Sequence, residues 1–263
     1  MEQINNLEVV PCTDSNYLKP FRVHYNQNGT KKYWDFMRTH DSVSVLIFNT
    51  TSHCFVLVKQ FRPAVYMCEW ERSKPKPPEP AEGSESSDTP TEAAAAVAAG
   101  GDAAVAAESE AKAEAEACAG GGEGILAGGQ PPASAGVTYE LCAGLVDKPN
   151  LSLEEIARQE VLEECGYDVP VNKLRRITSY RSGVGVTGAK QTMFYAEVSE
   201  ENRVGEGGGQ PAEGELIEVV RVPLHEAMSF AYDEKIPKTM GVIFSFIWFQ
   251  SNMSPKYKIS TNV

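Results

Sequence analysis

Between residues 73 and 135 the chain becomes a tract of alanine, glycine, glutamate, serine and proline, and this tract constrains how everything else can fold. It contains no aromatic side chain and few branched apolar ones. A segment of that composition cannot bury enough surface to offset the conformational entropy lost on ordering. Alanine favours helix over 103–117, but alanine and glutamate alone supply no apolar stripe with which a helix could dock. The tract therefore reads as a low-complexity, disordered insert. The folded domain must then be assembled from 41–72 and 136–263, with residues 1–40 supplying N-terminal strands.

The insert also explains most of the charge. The formal net charge is −12, and the stretch from Glu79 to Glu123 holds eleven acidic residues against one lysine, Lys112. The remainder is close to neutral, so acidity says little about a substrate, while the lack of a basic face argues against nucleic acid. The six cysteines show no C-x-x-C spacing and the four histidines do not cluster with them, which disfavours a zinc site or a disulfide framework. Met1 to Val10 is polar and acidic rather than a signal sequence, and the longest apolar run, near Met240 to Phe249, is too short to span a bilayer. The expectation is a soluble, cytoplasmic protein without a membrane association.

Patterning places the elements. Asn28-Gly29 tolerates positive φ at both positions and predicts a hairpin between Tyr17 to His24 and Lys32 to Phe36. Ser42 to Phe48 and Cys54 to Phe61 read as strands joined by a turn at Asn49 to His53, and Thr138 to Ala143 as a strand after the insert. Ser152 to Cys165 reads as a helix, with Ser152 as N-cap, Glu155 completing a capping box and Gly166 as its stop. Strands follow at Leu174 to Arg181, Gln191 to Val198 and Leu216 to Val222, and helices at Leu224 to Tyr232 and Pro237 to Gln250. The fold class expected is α+β, with a mixed sheet sandwiched between helices.

The predicted helix carries the chemistry. Glu160, Glu163 and Glu164 stand at i, i+3 and i+4, which puts three carboxylates on one face, while Val161, Leu162 and Cys165 can turn to the core. Like charges so placed repel unless a cation sits among them, and hard oxygen ligands suit Mg²⁺ or Mn²⁺. A solvated acidic surface is the ordinary reading of a bare E-x-x-E-E pattern. Its setting weighs against that reading, because an apolar strand and a Gly-turn-Asp loop lead in and a glycine closes the helix. A second pattern, Gly183-Val184-Gly185-Val186-Thr187-Gly188, matches a dinucleotide-binding turn, but that turn requires a helix to follow and Lys190 to Glu197 reads as a strand. A mobile loop near the substrate is expected there instead.

The stretch from Ala143-Gly144-Leu145-Val146-Asp147 to Gln159-Glu160-Val161-Leu162-Glu163-Glu164-Cys165-Gly166-Tyr167 resembles the signature box of the Nudix hydrolases. That box reads G-x5-E-x7-R-E-U-x-E-E-x-G-U, with U a bulky apolar residue, and Gly144, Glu160, Val161, Glu163, Glu164, Gly166 and Tyr167 match it. The likeness extends over nearly all of the chain outside the insert and is strongest to the branch that cleaves ADP-ribose and UDP-sugars. Lys59 to Pro63, Glu140 to Leu145 and Gly214 to Val219 carry it there. Trp34 to Met37, Thr39 to Val43, Ser182 to Gly185 and Pro237 to Thr239 bring it closest to enzymes of UDP-glucose. The chain departs from the box by one extra residue before the helix, by Asn150 and Leu151 in place of the early glutamate, and by Gln159 in place of arginine.

The resemblance implies an α/β/α sandwich and Mg²⁺-dependent hydrolysis of a nucleoside diphosphate sugar, UDP-glucose giving UMP and glucose 1-phosphate, with ADP-ribose also accepted. Glu160, Glu164, Glu215 and the Ala143 carbonyl would be metal ligands and Glu163 a ligand or base nearby, with Glu215 binding metal or activating water. Arg62 would hold a phosphate oxygen and Trp34 would stack on a base, although a surface arginine and a core tryptophan are the plain alternatives. Ser182 and Gly183 would line the substrate. The branch implies a homodimer, with Trp34 and Arg38 reaching across to the partner's site. The rival reading is a nucleotide-sugar binding module of the same fold that has weakened turnover, motivated by Gln159 and the unmatched glutamate.

Overall fold

The computed structural model describes residues 4–15, 18–74 and 129–257; the body of the acidic tract, 75–128, lies outside them. Met1–Glu69 and Pro131–Val263 form one compact unit. Of the second, Trp70–Gln130, the described residues are 70–74, which include the end of one helix, and 129–130.

Two continuous apolar runs make the centre. Strands β3 (Ser42–Asn49) and β4 (Cys54–Phe61) are buried on both faces through most of their length. Such runs need a cover on each side of the sheet. β3 pairs in parallel with β8 (Ala189–Val198), which pairs antiparallel with β7 (Arg175–Ser182), and the outer edge of β4 carries β9 (Ile217–Pro223). β3 and β4 are hydrogen-bonded only near their shared turn, at Ile47 to Asn49 against Cys54 to Val56. Beyond it they part, and β5 (Val137–Glu140) pairs with β4 while β6 (Cys142–Leu145) pairs with β3. The single strand expected over Thr138 to Ala143 is therefore broken at Leu141, because its two halves serve different neighbours.

Alternation along the strands splits the core in two. Val43, Val45, Ile47, Val56 and Val58 pack on one side against Ile156, Ala157, Val161 and Cys165 of α2 (Leu153–Cys165). Leu46, Phe48, Phe55 and Leu57 pack on the other against α3 (Ala227–Tyr232) and α4 (Met240–Tyr257), with the Phe55 and Phe246 rings stacked at 4.4 Å. This is the α/β/α sandwich with a mixed sheet that the sequence led us to expect.

The local signals of α2 hold in detail. The Ser152 hydroxyl accepts from the Glu155 amide at 3.2 Å and the Glu155 carboxylate accepts from the Ser152 amide at 2.7 Å, while Gly166 ends the helix in the left-handed region. Leu162, expected at the core, is 38% exposed, because it sits one position beyond the buried Val161 stripe. The expected helix over Pro237 to Gln250 instead starts at Met240. Pro237 to Thr239 run beside β5, where the Pro237 carbonyl accepts from Tyr139 and the Thr239 amide donates to it. Sequence patterning marks no helix over 63–73, yet α1 (Pro63–Ser73) forms there and starts on Pro63, whose missing N–H costs nothing in a first turn. Leu224–Glu226, expected in one helix with α3, form a tighter 3-10 turn.

Among the described residues the N-terminal hairpin forms a two-stranded sheet of its own: β1 (Lys19–Gln27) lies antiparallel to β2 (Thr30–Arg38) around Asn28 and Gly29, both at positive φ. The strands are longer than the sequence reading drew them. The glycine loop after β7 is followed by strand β8, not a helix, as the rejection of the dinucleotide-binding pattern required.

Because the capping box serves two amides at the start of the helix that carries the glutamates, Ser152→Ala should lower stability by about 1 kcal/mol in urea unfolding. An unchanged midpoint would show that the cap contributes nothing.

Candidate functional site

The site is built where β6 meets α2. Strand register puts Gly144 opposite Val43 in the middle of the sheet, and α2 crosses directly over it. A Cβ on Gly144 would lie 2.1 Å from both Cδ and Oε1 of Glu160, so only a glycine lets that carboxylate rest against the strand. One turn on, Glu164 is just 5% exposed, and its Oε2 accepts the Ala143 amide at 3.0 Å. The sequence reading assigned Ala143 through its carbonyl; the contact the structure shows is made by its N–H.

Burial makes these carboxylates reluctant to ionise. The Glu164 carboxyl is pushed up to about 8, mainly by burial and further by the charges of Glu160 and Glu215, against the opposing bonds from Ala143 and Cys142. Glu160 is pushed up to about 7 by burial and then by Glu163, with Lys148 pulling the other way. Lys148 also donates to Gln159 at 3.0 Å, so a lysine from the preceding loop stands beside the position where the family box has arginine.

Glu163 and Glu215 are joined through a residue the sequence reading did not single out. Gln210 Nε2 donates to Glu163 Oε2 at 2.8 Å, and the Gln210 amide donates to Glu215 Oε2 at 3.2 Å. Glu215 is exposed, in the segment leading into β9. Arg62, at the end of β4, makes a two-pronged ion pair with Glu140 at 2.8 and 2.7 Å, and Glu140 also accepts from the Thr138 hydroxyl. That pair, first, and then the fields of Glu164 and Glu215 raise the guanidinium's affinity for its proton. Glu160, Glu163, Glu164, Glu215 and Arg62 thus share one electrostatic neighbourhood.

The other residues singled out from sequence gather elsewhere. Trp34 Nε1 donates to the Gly185 carbonyl at 2.9 Å, the Met37 amide donates to Val186, and Arg38 lies over the Phe21 ring at 4.4 Å. Ser182 ends β7, and the Gly183 carbonyl accepts from the amides of Val186, Thr187 and Gly188. The loop Ser182 to Gly188 is thus bonded to its own backbone and to β2. Trp34 joins hairpin to loop, Arg38 packs within the hairpin, and Ser182 and Gly183 are bonded within the loop; none of these contacts is to the glutamates. Gln210, Lys148 and Glu140 carry no periodicity or spacing that marks them: each acts through a contact made only in the folded chain.

The donor set is oxygen-only, as a hard divalent cation requires. Among the described residues no three acidic, imidazole or thiol side chains converge in a metal-holding arrangement. Glu164 is bonded to Ala143 and Glu163 to Gln210, and the carboxylates repel one another in the absence of a cation. The fit rests on Gly144 and on burial: carboxylates within one another's fields, where ionisation is costly, would be stabilised by a cation among them.

A separate hollow of about 290 Å³ lies past the end of α2, lined by Cys165, Tyr167, Arg203, Glu206, Val219 and Arg221. Arg203 pairs there with Glu206, and Arg221 reaches Tyr167 and Glu200, so its charges are met from within the protein.

No family model matches the chain. Among known proteins, the uridine diphosphate glucose pyrophosphatase NUDT14 of Bos taurus is 49% identical over 255 residues, covering 97% of this chain and 98% of its own. The Mus musculus protein of the same name is 45% identical over the same length. The chain belongs to the Nudix UDP-sugar pyrophosphatase family. A GDP-mannose pyrophosphatase of Pectobacterium atrosepticum is 40% identical over 102 residues, 39% of this chain and 50% of its own. As a Nudix pyrophosphatase the protein is a hydrolase acting on pyrophosphate bonds, and of the two readings drawn from sequence these relatives bear out the enzyme rather than the binding module. No helix among its described residues is long and apolar enough to cross a membrane.

The raised carboxyls give the metal-free enzyme a pH signature. Folded, Glu160 and Glu164 keep protons up to about 7 and 8, whereas their ordinary value is 4.5. Between those limits the folded state binds more protons than the unfolded one, so stability is full below the ordinary value and falls as pH rises through the folded values. Thermal unfolding in a chelator should show Tm decreasing from pH 5.5 to 8.5, and Glu164→Gln should flatten the decrease. A Tm that rises over this range would contradict the assignment.

Proposed function

We propose that the protein hydrolyses UDP-glucose to UMP and glucose 1-phosphate with Mg²⁺ or Mn²⁺, and that ADP-ribose is a secondary substrate. The observation that carries the reading is the pair Glu160 and Glu164, pressed by α2 against Ala143 and Gly144 with Glu215 and Arg62 in the same field. Near-full-length likeness to proteins named for UDP-glucose favours that substrate.

Each group has a task set by the charge of the substrate. A diphosphate repels an incoming nucleophile, and cations held by Glu160, Glu164 and Glu215, with the Ala143 carbonyl, would neutralise its oxygens and acidify bound water. Arg62, fixed by the fork to Glu140, would offer its remaining guanidinium donors to a phosphate oxygen. One water adds to phosphorus, its proton passes to a carboxylate drawn from Glu163 and Glu215, and the bridging oxygen leaves with the departing phosphate. Cations and Arg62 act on any diphosphate, so base and sugar choice must come from groups around the nucleoside and sugar.

Glu164→Gln preserves shape and removes the charge; UDP-glucose turnover at saturating Mg²⁺ should fall at least ~100-fold with Tm at pH 6 retained. Near-normal turnover would sink the ligand assignment. On the wild type, kcat/KM for UDP-glucose should exceed that for ADP-glucose and ADP-ribose. If both adenine substrates were better by more than ~10-fold, the uridine preference would be wrong and the hydrolase would stand.

The hairpin supports a homodimer. All of β1 is exposed, and Phe21, Val23, Tyr25, Tyr33 and Trp34 keep large apolar surface in water on a two-stranded sheet, an arrangement of marginal stability by itself. A second copy of the chain would cover it, with Trp34 and Arg38 placed toward the partner's site. Sedimentation at micromolar concentration should give a dimer, and Trp34→Ala with Phe21→Ser should weaken it. A fully active monomer would contradict this.

A further inference from the structure

We propose that Gln210 is the positioning residue that sets the loop glutamate Glu215 in register with the helix glutamate Glu163; the inference rests on the assignment of these glutamates to the reacting centre. α2 fixes its own carboxylates by helical geometry. Glu215 has no such support: it follows a 3-10 turn, Pro211–Glu213, in the segment that carries the chain from β8 to β9. A metal ligand or a base must be placed to within a fraction of an ångström to work. Something must therefore tie this loop to the helix.

The tie is made in two stages. The backbone of the glycine-rich segment first docks on the end of α2: the Gly208 amide donates to the Glu164 carbonyl at 2.9 Å and the Gly209 amide to the Glu163 carbonyl at 3.2 Å. Contact is close enough that a Cβ on Gly207, which has φ of +72°, would sit 2.3 Å from the Glu164 oxygen. The same two residues whose side chains face the site thus hold the loop by their carbonyls. The loop then turns at Gln210 and comes back on the site side. Its side-chain amide reaches Glu163 Oε2 at 2.8 Å, its backbone amide reaches Glu215 Oε2 at 3.2 Å, and the Glu215 amide returns a bond to the Gln210 carbonyl at 3.2 Å. Among the described residues, Gln210 is the one that donates to both carboxylates.

The residue type suits the task. A lysine or arginine bridging two carboxylates would neutralise them and compete with a cation. The Gln210 side-chain amide holds Glu163 and its backbone amide holds Glu215, and neither neutral donor discharges its carboxylate. Register between helix and loop is thereby set by a neutral hydrogen bond. Its loss should leave the substrate bound and the reaction slow.

The test uses the full chain, with UDP-glucose as substrate and Mn²⁺ binding as a second readout. Gln210→Met keeps the length of the side chain without the donor. Its kcat should fall ~10- to 100-fold while KM for UDP-glucose stays within ~3-fold, the pattern of a contact that matters after binding. Mn²⁺ affinity should weaken by ~3- to 10-fold, and Tm should stay within about 2 °C. Gln210→Glu should be as slow, because a carboxylate cannot donate and repels Glu163. Combined with Glu215→Gln, the Gln210→Met loss should largely vanish, since the misplaced group is already disabled. A folded Gln210→Met enzyme with kcat within ~3-fold of wild type, or a loss that simply adds to that of Glu215→Gln, overturns the proposal. Full activity in Glu215→Gln itself would instead remove the assignment beneath it, a separable result.

Discussion

Everything at the site depends on carboxylates being held where they are costly to ionise. The sheet supplies the floor: β6 pairs with β3 where β3 has parted from β4, and its Ala143-Gly144 segment lies beneath α2. Glu164 stays buried there because the Ala143 amide meets one oxygen, and Glu160 comes close because Gly144 has no side chain. Burial and the neighbouring charges together raise both carboxyls, which sets this helix face apart from a solvated acidic surface.

The supporting groups share one design, in which segments remote in sequence are locked to this floor by polar contacts. Glu140 fixes Arg62 by a two-pronged bond, Lys148 reaches Gln159, and Asp41 joins the ends of β6 and β8 by accepting from Val146 and Lys190. These contacts explain how the Gln159 departure from the family box can be accommodated. The cation next to Glu160 comes from the loop instead of from the helix.

What was legible in the sequence was whatever local physics determines. The strands β3 and β4, the Asn28-Gly29 turn and the capped helix α2 each follow from propensity, periodicity or a capping pattern, and they stand where the sequence places them. The Glu160, Glu163 and Glu164 face was legible for the same reason, since helical spacing alone defines it. The break at Leu141 was not, because it depends on how two other strands diverge. The extended path of Pro237 to Thr239 depends likewise on Tyr139, about a hundred residues earlier. Gln210 lay in a glycine-rich loop with no signal of its own. Leu162 shows the limit of the helical argument: an apolar residue next to a buried stripe need not be part of it.

The central claim is that Glu160 and Glu164 bind a divalent cation in the folded protein. Electron paramagnetic resonance of free Mn²⁺, titrated with the full chain at pH 7.5 without substrate, measures this without relying on turnover. Wild type should take up Mn²⁺, and Glu160→Gln with Glu164→Gln, still folded, should bind at least ~10-fold more weakly. Equal Mn²⁺ binding by the double variant and the wild type would contradict the account.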